Sequence, residues 1–100
     1  MIGAIAKLKI KDGERDNFIE AMGKLVEAVA SNEPDCFYYE MHETEDPLTI
    51  MMIELYQSEE AHANHTQTEH FGTLGMALAP FLDGAPEITV HKSVNWKNLI

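Results

Sequence analysis

Glu54, His65 and His70 are the residues of this chain whose types and positions best suit proton transfer. Alternation along 48–56 sets Glu54 on one strand face with Ile50, Met52 and Tyr56, a lone carboxylate among apolar and aromatic neighbours. Against a layer of helices, desolvation disfavours its charged form unless hydrogen bonds compensate. A histidine is the natural partner, and the following segment supplies several. His62 and His65 lie three apart and share a helix face, with Glu69 one turn further on. His70 falls in the first turn of the next helical stretch, where the positive end of the helix dipole opposes a further positive charge. Along the preceding strand the same alternation puts Phe37, Tyr39 and Met41 together. A buried acid, one or two imidazoles and an aromatic wall make a general-base site. The expected base is His65 oriented by Glu54, or else His70; Tyr39, Tyr56, Phe71, Met52 and Phe37 are the expected binding walls.

Plainer readings compete with each of these. A strand Glu bonded to a helix His is also what a satisfied polar pair in a core looks like. His62 lies on a helix that is polar on most sides and reads as solvated. The pair His62 and His65 with Glu69 has a spacing that can hold a metal, but that spacing is common by chance and no metal is expected. Met41, Met51, Met52 and Met76 suit core filling. Cys36 reads as a small buried apolar residue. Gly72 and Gly75 either relax their helix or leave room for a ligand.

The elements that must position these groups follow from periodicity. Ile2, Ala4, Ala6, Leu8 and Ile10 alternate with Gly3, Lys7, Lys9 and Lys11, a half-buried strand. Asp12-Gly13 ends it. Phe18, Met22, Leu25, Val26 and Val29 then recur at helical spacing until Asn32 and Pro34 stop the helix. Strands over 36–44 and 48–56 flank the turn Glu45-Asp46-Pro47 and form a hairpin. Ser58 is a suitable N-cap for a second, polar helix. Thr66 or Thr68 restarts it, Thr66 having capping-box spacing to Glu69, and Phe71, Leu74, Leu78 and Phe81 carry the buried face. Gly84-Ala85-Pro86 breaks that segment before a last strand over 87–94.

The order β-α-β-β-α-β predicts an α+β, ferredoxin-like fold with a four-stranded antiparallel sheet and helices on one face, all within a single domain over 1–100. The other sheet face is left bare, and two copies packed sheet to sheet, a dimeric α+β barrel, would cover it. The segment 94–100, with Val94, Trp96, Leu99 and Ile100, is apolar for a terminus and reads as an arm lying on a partner chain.

Composition narrows the partners. Seventeen acidic against seven basic residues leave a formal charge of −10. Phosphate contacts need clustered Lys or Arg, so nucleic acid is excluded, and anionic membranes are repelled. One cysteine permits no disulfide within the chain. No apolar run approaches the roughly 20 residues of a membrane span, and the expected location is the cytoplasm. A neutral or weakly charged small molecule suits this electrostatic balance.

Cys36-Phe37-Tyr38-Tyr39-Glu40-Met41, Glu54-Leu55-Tyr56-Gln57-Ser58-Glu59-Glu60-Ala61, His65, His70-Phe71 and Ala79-Pro80-Phe81-Leu82 occur in order without gaps. In these runs the chain resembles the antibiotic biosynthesis monooxygenase family over nearly its whole length. The resemblance implies a homodimeric α+β barrel with a pocket between sheet and helices. It places Glu54, His65 and His70 in that pocket, with Tyr39, Tyr56 and Phe71 as walls. Haem-degrading relatives carry an Asn on the first strand and a Trp near the pocket helices. Here Ala4, Ala6 and a tail Trp96 stand instead, so haem degradation is not expected. Asp35 and Tyr56 also depart from the family's usual Gly and Trp. Three functions remain: oxygenation of a quinol or anthrol by O₂ without cofactor, isomerisation of a small hydroxyketone such as a phosphorylated autoinducer, and non-catalytic binding of a small molecule. A phosphorylated substrate needs a cationic pocket, for which Lys7, Lys9 and Lys24 are the candidates.

Overall fold

The structure, a computed structural model, describes residues 1–95 and 97. The chain runs β1 (Ile2–Lys9), α1 (Arg15–Asn32), β2 (Cys36–Glu43), β3 (Thr49–Tyr56), α2 (Glu59–His65), α3 (Glu69–Met76), a short 3₁₀ turn (Ala79–Phe81) and β4 (Glu87–Lys92). The strands form one antiparallel sheet in the order β2-β3-β1-β4, which is the ferredoxin-like α+β arrangement.

On β1 the residues Ile2, Ala4, Ala6 and Leu8 are buried, while Lys7 and Lys9 point the other way into solvent. Phe18, Met22, Leu25 and Val29 form the buried stripe of α1 that covers this face. With Ile50, Met52 and Leu78 they make the main core, and Ile2, Ala4 and Tyr56 make a smaller cluster at the far end of the sheet. Gly13 turns the chain into α1 with φ +82°, a conformation that side-chain-bearing residues rarely take. Arg15 then ties the start of α1 to the hairpin, donating from Nη2 to Glu43 Oε1 at 2.8 Å and from Nε to the Pro47 carbonyl at 2.9 Å.

The hairpin turn is built by two side chains, the Thr44 hydroxyl, which donates to the Thr49 carbonyl at 2.9 Å, and the Asp46 carboxylate. Asp46 accepts from the Leu48 amide and from the Thr49 hydroxyl, both at 2.9 Å, and these bonds hold its carboxyl below the usual carboxylate range. Strict alternation fails once, on β2. The register slips between Cys36 and Tyr38, so Phe37 is the inserted residue of a bulge and is 50% exposed. The expected grouping of Phe37 with Tyr39 and Met41 is therefore broken.

Two surfaces stay uncovered. Opposite the helices, Ile5 pairs with Ile53 and Gly3 with Leu55, giving an apolar stripe across the middle of the sheet. On the helix side, Ile88 and Val90 of β4 pair with Ala6 and Ala4, yet they are 60% and 50% exposed because the helices do not reach that edge. The last strand ends at Lys92, shorter than its apolar pattern suggested. Val94 is exposed, and of the predicted arm the residues Trp96, Leu99 and Ile100 lie outside the described residues.

Phe18 sits fully buried at the centre of the α1–sheet contact. Replacing it by Ala is expected to cost about 3–5 kcal/mol, a large part of the stability of a domain this size, read as a lower urea midpoint at unchanged slope.

Candidate functional site

His65 occupies the last turn of α2, a helix that starts where Ser58 Oγ accepts from the Ala61 amide at 3.1 Å. The chain then kinks. Thr68, rather than Thr66, restarts it: its hydroxyl donates to the His65 carbonyl at 2.8 Å and accepts from the Phe71 amide at 3.2 Å. One threonine thus caps α3 and pins the backbone of His65. The imidazole is 3% exposed and enclosed by rings, with centroids of Tyr39 at 5.2 Å, Tyr56 at 5.5 Å and Phe71, edge-on, at 4.8 Å.

The carboxylate that orients His65 is Glu33, not Glu54. His65 Nδ1 lies 2.9 Å from both Glu33 oxygens, and His70 Nε2 lies 2.5 Å from Oε2. With Nδ1–H donated to Glu33, Nε2 is the nitrogen of His65 left to accept a proton. Glu33 caps the C-terminus of α1, where its own amide donates to the Val29 carbonyl at 2.9 Å. That position carried a signal. A carboxylate beside the negative end of a helix dipole is unfavourable, and one placed there between Asn32 and Pro34 needs donors from elsewhere.

Glu54 has a different partner. Tyr56 donates its hydroxyl to Glu54 Oε1 at 2.6 Å, and burial pushes the Glu54 carboxyl above its ordinary range despite that bond and the nearby imidazoles. The expected Glu54–His65 hydrogen bond is not formed. Burial likewise raises the Tyr39 and Tyr56 phenols, with the Glu54 charge as the next cause, so both act as neutral groups. Cys36 is pushed up to about 11 by burial and the Glu33 charge, as an inert thiol should be.

Glu54 and His65 face a common cavity of about 420 Å³ between the sheet and α3. Tyr39, Met52 and Phe71 line it as anticipated, together with Leu8, Met22 and Leu78. His62, read from sequence as solvated, lines it too, with its ring 4.9 Å from that of Tyr56. Tyr56, His70 and Phe37 do not. Tyr56 supports Glu54 from behind, His70 supports Glu33, and Phe37 projects from the bulge. Ile88, Pro86 and Met76 form the apolar mouth at the β4 edge. Among the described residues no group of three or more His, Cys, Asp or Glu is disposed to hold a metal ion.

Gly72 and Gly75 lie on the cavity side of α3. A methyl on Gly72 would meet nothing within 4 Å, and one on Gly75 would touch only the Phe71 ring, at 3.9 Å. Packing within the protein therefore demands neither glycine.

The family model described as antibiotic biosynthesis monooxygenase matches residues 1–74. The chain belongs to this family. A protein of Caulobacter crescentus, named as a candidate antibiotic biosynthesis monooxygenase, is 30% identical and superposes with a TM-score of 0.90 over 94% of this chain and 90% of that one. A second structure, named simply antibiotic biosynthesis monooxygenase, shares 26% identity at a TM-score of 0.85, covering 95% of this chain and all (100%) of the other. A conserved protein of Methanosarcina mazei also shares 26% identity, with a TM-score of 0.84 over 91% and 90% of the two chains. No curated protein matches the chain. Membership of the family supports a monooxygenase-like function of a general kind and a small molecule as the bound partner. Among the described residues no helix is long and apolar enough to cross a membrane.

Two outcomes follow from this geometry. Because the folded-state pKa of Glu54 is raised, its carboxyl favours folding below the unfolded value, and that contribution is lost as pH rises through the folded value. Glu54→Gln keeps an acceptor for Tyr56. It should gain stability relative to wild type as pH rises above about 4 through the raised folded-state value, and the difference should stop changing below about pH 4, where the carboxyl is neutral in both states; urea melts over a pH series measure it. Gly72→Ala should stabilise the protein by about 0.5–1 kcal/mol, from helix propensity alone, while projecting a methyl into the cavity. Thermal melts with and without an apolar aromatic probe would show the higher midpoint together with the weaker probe-induced shift.

Proposed function

We propose that the protein is a cofactor-independent monooxygenase in which His65 deprotonates a small hydroxylated aromatic of the quinol or anthrol type and the resulting anion reduces O₂. The observation that carries this reading is the buried His65, which Glu33 holds through Nδ1, leaving Nε2 as the acceptor, and which lines an apolar cavity. A placed base of this kind contributes typically about 10²–10⁴-fold to a proton transfer. The cavity is walled by Leu, Met, Tyr and Phe side chains, which favours a flat apolar substrate and the water exclusion that a reactive anion needs.

The steps balance without flavin or metal. His65 Nε2 takes a proton from the substrate hydroxyl. The electron-rich anion passes one electron to O₂, and the radical pair closes to a peroxide at carbon. Loss of water from that peroxide leaves a carbonyl, so one oxygen atom enters the product and the other leaves as water. Glu54 faces the same cavity with its carboxyl biased toward the protonated form, which suits returning a proton to the departing oxygen.

Charge disfavours the phosphorylated hydroxyketone. Lys7 and Lys9 lie on the opposite sheet face, Lys24 is exposed on α1, and no Lys or Arg is among the described residues lining the cavity. The proposed assembly is a homodimer closed over the apolar stripe of Ile5, Ile53 and Leu55, with residues 94–100 lying on the partner.

Oxygen uptake by metal-stripped protein with a panel of hydroquinones and anthrols tests the reading. Wild-type uptake above autoxidation, lowered about 10²–10⁴-fold in folded His65→Ala, is the expected result. Uptake no faster than autoxidation across the panel would overturn it.

A further inference from the structure

The main cavity is a slot whose two ends differ in chemistry. Its polar side chains, Tyr39, Glu54, His62, His65 and Thr66, stand together at the end where α2 meets β3. Leu8, Leu82 and Pro86 make the other end, with Ile88 and Met76 beside them, and no polar side chain among the described residues lines it. The sheet gives the distance between the two. Glu54 pairs with Ala4, and Leu8 stands four residues further along β1, about 13 Å at the usual rise of a strand. The polar end also has unused capacity. Glu54 Oε1 accepts from Tyr56, whereas Glu54 Oε2, the Tyr39 hydroxyl and the His62 ring make no hydrogen bond among the described residues.

Size and exposure point the same way. A cavity of about 150 Å³ is enough for one benzene ring, so a single ring leaves most of the 420 Å³ here unfilled. Met76 and Ile88, at the apolar end, are 78% and 60% exposed, while Glu54 and His65 are buried. This reverses the usual order of a polar rim over an apolar interior. An occupant with oxygen at both ends would take one of them out of water against Leu8 and Leu82 with no partner to replace the lost hydrogen bonds. Gly72 and Gly75 flank the run between the ends, and packing within the protein demands neither.

We propose that the cavity takes an amphiphilic aromatic: a hydroxylated ring held among Tyr39, Glu54, His62 and His65, bearing a hydrocarbon chain that lies along Ala6 and Leu8 and reaches the rim at Met76 and Ile88. This names the substrate class of the reaction proposed above, and it rests on the cavity being the site of that reaction. The oxygens of such a ligand are on the ring and none is on the chain. One ring hydroxyl meets the free nitrogen of His65, and the unpaired groups of Tyr39, His62 and Glu54 serve any other oxygen of the ring. The chain replaces water along the glycine backbone of α3 and covers the exposed Met76 and Ile88. A second copy of the protein would cover that rim but leave the length of the slot unfilled; a chain on the ligand does both.

Calorimetric titration under nitrogen with phenol, 4-propylphenol and 4-hexylphenol reads binding without turnover. Graded binding beside absent oxygen uptake would sink the oxidation alone, so the two readings fail separately. Affinity should rise about fourfold for each methylene that is buried. Ile88→Glu, at an exposed position on the outer strand β4, puts a charge beside the end of the chain. It should cost 4-hexylphenol about tenfold, the gain from nearly two methylenes. Phenol does not reach the rim, and its affinity should stay within about twofold. No measurable binding of 4-hexylphenol, or an affinity that ignores chain length, overturns the proposal. A gain per methylene that survives in Ile88→Glu does the same, because the chain then lies elsewhere, as on the bare sheet face of Ile53 and Leu55. Met76→Glu, exposed at the end of α3, decides the matter should Ile88→Glu fail to fold.

Discussion

A carboxylate at the C-terminal end of an 18-residue helix meets the helix dipole with the wrong sign, and Glu33 is nearly buried there as well, at 10% side-chain exposure. Either circumstance alone would argue for a residue of another type. What makes the position tolerable is the pair of imidazoles that converge on it, one from the end of α2 and one from the start of α3. Charge-assisted hydrogen bonds are about twice as strong as neutral ones, and loss of one partner of a buried charged pair typically costs about 3–5 kcal/mol. Three helices are therefore tied at one point by their ends. The kink between α2 and α3 is held where both histidines can reach Glu33, and that kink in turn sets the depth at which His65 enters the core.

Helix α3 shows what the site costs its scaffold. Eight residues long with two glycines, it has little intrinsic helix stability, each glycine being about 1 kcal/mol worse than alanine. It persists because Thr68 caps it, because His70 in its first turn grips Glu33, and because Phe71 and Leu74 pack on the main core. Those anchors lie toward its beginning, and the helix packs on α1. The glycine backbone borders the cavity, and Met76 at its end stands exposed at the cavity mouth. The helix is thus fixed at its beginning and left thin where a substrate would lie, and the facing wall, where Ala6 stands on β1, is thin as well.

What could be foreseen from the residues alone divides by the range of the interaction. The strand of Ile2, Ala4, Ala6 and Leu8, the stripe of Phe18, Met22, Leu25 and Val29, the Ser58 cap and the Asp46 turn are set by neighbours a few positions away, and each is present. The arrangement of the sheet followed from their order. The bulge at Phe37 was not visible, because alternation carries no mark of a single inserted residue until the partner strand fixes the register. The partner of His65 was misassigned for a similar reason. Glu54 was chosen because it is conspicuous on its own strand, whereas Glu33 lies 32 positions from His65 and 37 from His70 and meets them only after α1 has folded onto the sheet. Its uncomfortable place at a helix end was the one local trace.

With the partners sorted, the two acids near His65 have separate characters. Glu33 receives N–H bonds from two rings and lies outside the cavity; Glu54 receives one hydroxyl, lies inside it, and is pushed by burial toward its neutral form. Environment alone separates them, as happens where one fold has to run acid and base chemistry at the same pH. The separation also gives direction to the imidazole between them. Its Nδ1 faces a carboxylate that borders a smaller pocket lined also by Asn32, Asp35 and Asn64, and the nitrogen left free is the one available to an apolar chamber that Glu54 also lines. A structural Glu–His pair in a core would need only mutual satisfaction, which Glu33 and His70 already provide to each other. His65 adds a place on the cavity wall and an acceptor nitrogen beyond its bond to Glu33, the two features that the proposed base would use.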